Sequence, residues 1–438
     1  MSISTTIAGS SIVTPIRRAL RNDFVRHGAL VFAASMAGNV LNYLFNFAIS
    51  RRVGVEGYAA LSALVGVLTI VSIPAAIVNI VVVKYTAEFH AVGDHPKLWR
   101  FSQLLLAWST LAAVAMLAAG LVLSNSIASY LHIANDTAVT LCIFIIALGF
   151  MIPSVRGILQ GEQDFKRYSI STLLELVLKV GLGVGLVYAG FGIVGAMSGW
   201  IAGTAVSLVY TVVALRSHRV GSLKGVRLAL DLRRLVQVTV GIAVTTAAMT
   251  LLGFMDVVLV KHYFDAHAAG LYAAVNLTGK VVLFLVSFLP LILLPKVVAR
   301  SKRGEPTTNL LLQAAGGTIA FSAVVLAGFA ARPQLAISLL AGRAFIAGAP
   351  FVFQYDLAMG LLACLSVVVN YKVALHRFEF LVPLVMVVVA EIAGIALYHR
   401  TLWDVIHILL MGNAAAVAAC SIGIWKTRGT ALVQKRAA

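Results

Sequence analysis

Six charged residues stand inside long apolar runs of this 438-residue sequence: Glu175, Lys179, Asp256, Lys280, Asp356 and Glu391. A charge at the centre of a bilayer costs about 2.5–3.5 kcal/mol on insertion scales. Such residues therefore pair, line a cavity or carry function. Glu175 and Lys179 are four apart with the acid first, a spacing at which they can neutralise each other on one helix face. Alternatively, Lys179 stands on a cavity wall, where its charge attracts an anionic substrate. Lys280 has no opposite charge at helical spacing. It needs Asp256 or Asp356 from another helix, or a water-filled cavity. Asp356 and Glu391 can pair across helices or accept a coupling proton, so Glu175, Asp256, Asp356 and Glu391 form the candidate set for ion coupling or charge pairing. Arg156 lies near the end of its run and can extend to the interface.

A second pattern is Ser35, Asn39, Asn42, Asn46 and Ser50, at steps of three and four residues. They form one polar stripe on a helix. Facing lipid would strip these side chains of hydrogen bonds, so the stripe faces protein or water. Hydrogen bonds between helices are the plainer use, worth about 0.6 kcal/mol each. Three asparagines in eight residues exceed that need, and their amides suit sugar hydroxyls. Asn39, Asn42 and Asn46 are therefore expected to line a cavity.

The elements that position these residues follow from composition. Of all residues 61% are apolar and 11% charged, and the mean hydropathy is +0.97. A soluble protein must cover about half its surface with polar groups, which excludes a cytosolic enzyme, a disulfide scaffold and a disordered chain. Runs long enough to cross about 30 Å of hydrocarbon fall at 28–50, 58–83, 103–124, 138–158, 170–190, 192–215, 235–259, 269–295, 309–331, 346–371, 379–398 and 402–425. The expected class is an all-α polytopic membrane protein of about twelve transmembrane helices. Of 34 Lys and Arg residues, 26 lie in the N-terminal segment, the even-numbered loops and the tail, counting Arg156 at the end of its run with the loop that follows. Cytoplasmic loops carry that excess, so both termini are expected in the cytoplasm. Most of the +18 net charge is then a topology signal. The basic loop 216–234 needs no nucleic-acid partner. Residues 1–27 lack the apolar core of a cleavable leader, so the first run is expected to be an uncleaved signal-anchor. Cys142, Cys364 and Cys420 lie far apart in apolar runs, which points to packing and to neither a disulfide nor a metal site.

The chain also repeats itself. Asn42 to Leu61 reads NYLFNFAISRRVGVEGYAAL, and Asp256 to Val275 reads DVVLVKHYFDAHAAGLYAAV, an offset of 214. Each begins on a polar residue late in a run, crosses a short loop and resumes with Gly, Tyr and Ala-Ala. With six runs per half the repeat is parallel, giving two six-helix bundles about an axis along the membrane normal. The expected organisation is 1–27 cytoplasmic, 28–215 and 235–425 the two lobes, 216–234 the cytoplasmic inter-lobe loop and 426–438 a cytoplasmic tail. Pro74, Pro153, Pro290, Pro295, Pro350 and Pro383 mark candidate bends.

Three segments resemble the polysaccharide-biosynthesis, or oligosaccharide flippase, family of the multidrug/oligosaccharidyl-lipid/polysaccharide exporter superfamily. They are LVFAASMAGNVLNYLFNFAISRRVGVEGYAAL (30–61), RGILQGEQDFKRYSISTLLELVLKVGLGVGLVYAGFGIVGAMSGW (156–200) and MDVVLVKHYFDAHAAGLYAAVNLTGKVVLFL (255–285). The resemblance implies rocking alternating access and transfer of an undecaprenyl-diphosphate-linked oligosaccharide across the bacterial inner membrane. It places the chain beside a polysaccharide polymerase and glycosyltransferases. A cavity with Lys179, Lys280 and Arg156 would hold the diphosphate, the asparagines would meet sugars, and the prenyl tail would stay in membrane lipid. Within the same superfamily a multidrug extruder coupled to Na+ or H+ would use the carboxylates instead. A membrane enzyme needs a large external loop with catalytic groups, whereas the external loops here reach at most about 14 residues. No phosphate-binding glycine loop with Lys is present, so direct ATP drive is not expected, nor any cofactor.

Overall fold

A computed structural model of the chain describes residues 23–216, 232–286 and 303–423, with isolated residues between 289 and 301. Most of the segments 1–27, 216–234 and 426–438, together with Pro290, Pro295 and the Ser35 side chain, lie outside the described residues.

The described chain is helical throughout. Thirteen α-helices follow one another: α1 (Asp23–Val71), α2 (Ile73–Ala91), α3 (His95–Tyr130), α4 (Asp136–Gly161), α5 (Phe165–Leu186), α6 (Gly192–Leu215), α7 (Leu232–Tyr263), α8 (Ala266–Val286), α9 (Thr308–Ala331), α10 (Pro333–Leu340), α11 (Val352–Ala374), α12 (Leu381–Leu397) and α13 (Leu402–Ser421). Among the described residues nine helical stretches are long and apolar enough to cross a membrane, and the shorter Leu381–Leu397 is equally apolar in character. The all-helical polytopic class expected from composition is therefore what the chain adopts.

The turns between crossings are made where the sequence places glycine, proline or a capping side chain. Gly54, at φ 75° and ψ 179°, breaks α1 between the first two predicted runs. Only glycine enters that backbone region without strain. The break reverses the chain, because the Tyr58 hydroxyl reaches the Asn46 side chain at 3.1 Å across it. The second predicted run is not one straight helix. It bends at Ser72, where Pro74 opens α2 and can give no backbone bond to the preceding turn. Gly190 (φ 99°) and Gly192 (φ 53°) turn α5 back onto α6. Asp94, Asn135 and Asp164 cap α3, α4 and α5 by accepting from backbone N–H groups.

The α5–α6 hairpin is the tightest pairing. A Cβ on Gly199 would strike the Gly183 backbone, and one on Gly203 would strike the Glu175 carbonyl. Gly199, Gly203, Ser207 and Thr211 recur every four residues, so small side chains line one face and the backbones close together. That closeness brings α5 residues Ser171, Glu175 and Lys179 against α6. The tenth predicted run, 346–371, lies inside the helical stretch Arg343–Ala374 but is not α-helical throughout: residues Arg343–Phe351 form a 3-10 segment containing Pro350, and α11 starts at Val352.

Helices α1–α6 pack on one another, as do α7–α13, and α1 crosses from one set to the other by touching α7 and α8. The two copies of the internal repeat meet there. Gly270 of α8 lies against the Val55 carbonyl of α1, with no room for a Cβ. Further bridges sit at the ends carrying odd-numbered loops. Arg51 donates to the Ser338 and Leu339 carbonyls at 3.0 and 2.8 Å, capping the C-terminus of α10. His262 stacks on Tyr130 with ring centres 3.8 Å apart. The Lys261 ammonium donates to the His132 carbonyl at 3.3 Å.

Candidate functional site

Two polar clusters occupy the apolar interior, one in each half. The N-terminal cluster is built on the α5–α6 hairpin. Arg156 comes from α4, just beyond Pro153. Its Nη2 lies 2.7 Å from Glu175 Oε2 and also donates to Ser207 Oγ (2.7 Å) and the Ser171 carbonyl (3.0 Å). Its Nε donates to Ser171 Oγ at 2.9 Å. The other Glu175 oxygen accepts from Thr204 Oγ1 at 3.1 Å. Arg156 is thus anchored inside the bundle rather than extended to the interface. Beside this cluster is a cavity of about 160 Å3, lined by Leu68, Met116, Phe150, Arg156, Glu175 and Trp200 among others.

Lys179 is one turn farther along α5, yet it does not pair with Glu175. Its Nζ donates to Asn42 Oδ1 at 2.9 Å and sits 3.5 Å from the centre of the Trp200 ring and 4.6 Å from that of Phe45. The side chain is 5% exposed, so neither water nor a carboxylate compensates it fully. The intrahelical Glu175–Lys179 pair is replaced by a Glu175–Arg156 pair between helices, because α6 and α4 present donors that a straight helix face lacks. Asn46 donates to the Asn42 carbonyl at 2.8 Å and accepts from Tyr58 at 3.1 Å. Asn39 is half-buried on the same helix.

The C-terminal cluster is acidic. Asp256 Oδ2 accepts from the Tyr272 hydroxyl at 2.7 Å and the Tyr355 hydroxyl at 2.9 Å. Asn276 Nδ2 donates to Tyr355 at 2.5 Å. Asp356 Oδ1 accepts from Thr278 Oγ1 at 2.7 Å. One oxygen each of Asp256, Asp356 and Glu391 has no hydrogen-bond partner among the described residues. Asp256 and Glu391 share a cavity of about 10 Å3, room for about one water, with Leu252, Met255 and Val388 in its wall. Glu391 lies against Gly412, whose missing side chain makes space for the carboxylate. Asp356 and Glu391 do not pair with each other.

Lys280, from α8, is half-buried and faces the Phe254 ring at 5.1 Å. It forms no ion pair with Asp256 or Asp356. Tyr272 and Tyr355 hold the first acid, and Thr278 holds one oxygen of the second. The structure thus leaves one lysine in each half without a carboxylate partner, places Asp256 and Glu391 on one small cavity, and holds Asp356 separately on Thr278. Spacing alone did not mark Trp200, Phe45 or Phe254, which look like ordinary apolar residues. Tyr272 was legible as the repeat mate of Tyr58, 214 residues earlier.

A family model described as "Polysaccharide biosynthesis protein" matches residues 94–350. Among solved structures, an inward-facing multidrug resistance MATE family transporter of the MOP superfamily superposes with a TM-score of 0.76 at 14% identity, over 91% of this chain and 96% of that one. Lipid II flippase MurJ, inward closed, gives 0.66 at 12% identity, over 91% of this chain and 87% of that one. An outward-facing MATE family transporter gives 0.59 at 16% identity, over 94% and 96% of the two chains. No curated protein matches the chain. At these identities the likeness is one of fold.

Proposed function

We propose, since the chain belongs to the polysaccharide biosynthesis protein family and is a multi-pass transporter of the wider exporter superfamily, that it carries a polyprenyl-diphosphate-linked oligosaccharide across the bacterial inner membrane by alternating access. Both termini then lie in the cytoplasm, and 28–215 and 235–425 act as the two rocking lobes.

One observation carries this reading. Lys179 stands in the first half and Lys280 in the second, and among the described residues neither has a carboxylate within ion-pair distance. An ammonium held by an amide or an aromatic face, with no carboxylate against it, lacks a counter-charge, and an incoming anion supplies one. A diphosphate is such an anion, and it is the part of the cargo that crosses hydrocarbon least readily. The prenyl chain stays in lipid while the headgroup enters between the lobes. The arm of Asn39, Asn42 and Asn46 offers amides to the first sugars. Arg156 already holds Glu175, Ser171 and Ser207 through its Nε and Nη2, so its part is structural support of the site.

The unsatisfied carboxylates of Asp256, Asp356 and Glu391 suit a proton or Na+ as the driving ion. The same acids suit a cation-coupled multidrug extruder, which is the alternative reading. A strain lacking the gene separates the two. Lipid-linked oligosaccharide accumulating on the cytoplasmic leaflet supports flipping. Unchanged glycolipid with raised sensitivity to cationic dyes supports drug export instead.

A further inference from the structure

We propose that Arg156 is a positioning residue that holds the Glu175 carboxylate away from Lys179, and so keeps the Lys179 charge available to an anionic cargo. The proposal rests on the reading of Lys179 as a cargo-binding cation.

Glu175 and Lys179 are one turn apart on α5, in the order that favours an intrahelical pair. In an apolar interior, where charges attract more strongly than in water, an unoccupied carboxylate at that spacing would be expected to close on the lysine. It does not, because both of its oxygens are engaged. Arg156 takes one at 2.7 Å and Thr204 the other at 3.1 Å. Arg156 is itself immobilised by Ser171 and Ser207. Lys179 turns the opposite way, to the Asn42 amide and the Trp200 ring. Those partners orient an ammonium without cancelling its charge. Glu175 is thus matched by Arg156, and Lys179 is the cation left without a carboxylate. A shift of α4 relative to α5 would undo the arrangement. Glu175 would then reach Lys179 by side-chain rotation and compete with the bound phosphate, which gives a route to cargo release within one helix.

The test uses the full-length protein in detergent micelles and farnesyl diphosphate as the probe, with binding read by calorimetry and folding by thermal melting. Arg156→Gln is expected to weaken binding by about tenfold, since the freed carboxylate claims Lys179. Glu175→Gln alone leaves binding within about threefold of the original. The double variant R156Q/E175Q recovers affinity although it has no guanidinium. A double variant that melts normally yet binds as poorly as R156Q overturns the proposal and makes Arg156 either a direct phosphate contact or a packing strut. Should R156Q fail to insert, Arg156→Lys gives the graded version. It is expected to weaken binding less and to be restored by E175Q, and absence of that restoration also overturns the proposal. Lys179→Gln isolates the underlying reading. If K179Q binds the probe as well as the original chain, the cargo role of Lys179 fails and the positioning role fails with it. If K179Q binds poorly but neither double variant recovers, only the positioning role fails.

Discussion

The repeat puts Asn42 in the first half where Asp256 stands in the second, and Tyr58 where Tyr272 stands. In both halves the tyrosine reaches back across a turn to a polar side chain of the preceding helix: Tyr58 to Asn46, and Tyr272 to Asp256. The scaffold is the same, but the chemistry has diverged. The N-terminal cluster holds two cations, Arg156 and Lys179, and one acid, Glu175, each engaged by polar or aromatic partners. The C-terminal half holds three acids, each with an oxygen lacking a protein partner among the described residues. An amide at position 42 orients a lysine, whereas a carboxylate at 256 gathers two tyrosines and attracts a cation or proton. On the proposed reading, Lys179 and Lys280 meet the anionic cargo from the two halves while the acids of the second half meet the driving ion, and the change from Asn42 to Asp256 alters what each polar hub attracts.

The strongest way to break this division is to remove the cations. Lys179→Ala and Lys280→Ala are each expected to lower export by about tenfold or more, while immunodetection in membranes stays unchanged. Normal surface polysaccharide in both variants would end the anionic-cargo reading. Next come the acids. Asp256→Asn keeps the shape and both tyrosine contacts but removes the charge. Export is expected to lose its dependence on an imposed ion gradient, while farnesyl diphosphate binding stays within about threefold. Weakened probe binding with intact gradient dependence would move Asp256 from the driving ion to the cargo.

A smaller effect is expected at the odd-loop end, where the halves touch. Arg51→Ala loses hydrogen bonds worth about 1 kcal/mol in a solvent-exposed setting. It is expected to raise labelling of a cysteine placed at Val55 a few-fold, in a chain stripped of its three native cysteines. Unchanged labelling would mean that the stack of His262 on Tyr130 closes that end without Arg51.

The smallest prediction lies outside the membrane. Glu162 follows α4 in the loop before α5. Burial, with help from the nearby Asp164 charge and against Arg167, pushes its carboxyl up to about 7. The unfolded chain releases that proton near 4.5, so the folded chain binds it more tightly. Stability from this group is therefore present below pH 4.5 and is lost as pH rises toward 7. Melting temperature in detergent is expected to fall across that window and to flatten in Glu162→Gln. An equal fall in both proteins would assign the pH dependence elsewhere.

Much of the fold was legible in the sequence, for a physical reason. Lipid leaves a spanning segment no choice but to satisfy its own backbone, so apolar length alone locates helices. The breaks were less legible. Gly54 and Gly190 are single residues whose positive φ cannot be told from an ordinary packing glycine, and the 3-10 turn at 343–351 reads as the start of an apolar run. The charged site residues stood out because charge is rare in such runs. Their partners did not, since Glu175 has a cation one turn away in sequence and another 19 residues away across a helix contact.

The sequence by itself determined that the chain is a helical membrane protein, that its halves echo each other, and which side chains pay a desolvation cost. Each of those follows from local composition and spacing. Only the tertiary structure decided that Arg156 rather than Lys179 takes Glu175, and that tyrosines rather than Lys280 hold Asp256. Those outcomes depend on how closely the backbones approach, and the small residues of the α5–α6 hairpin set that distance through contacts that spacing along one helix does not contain.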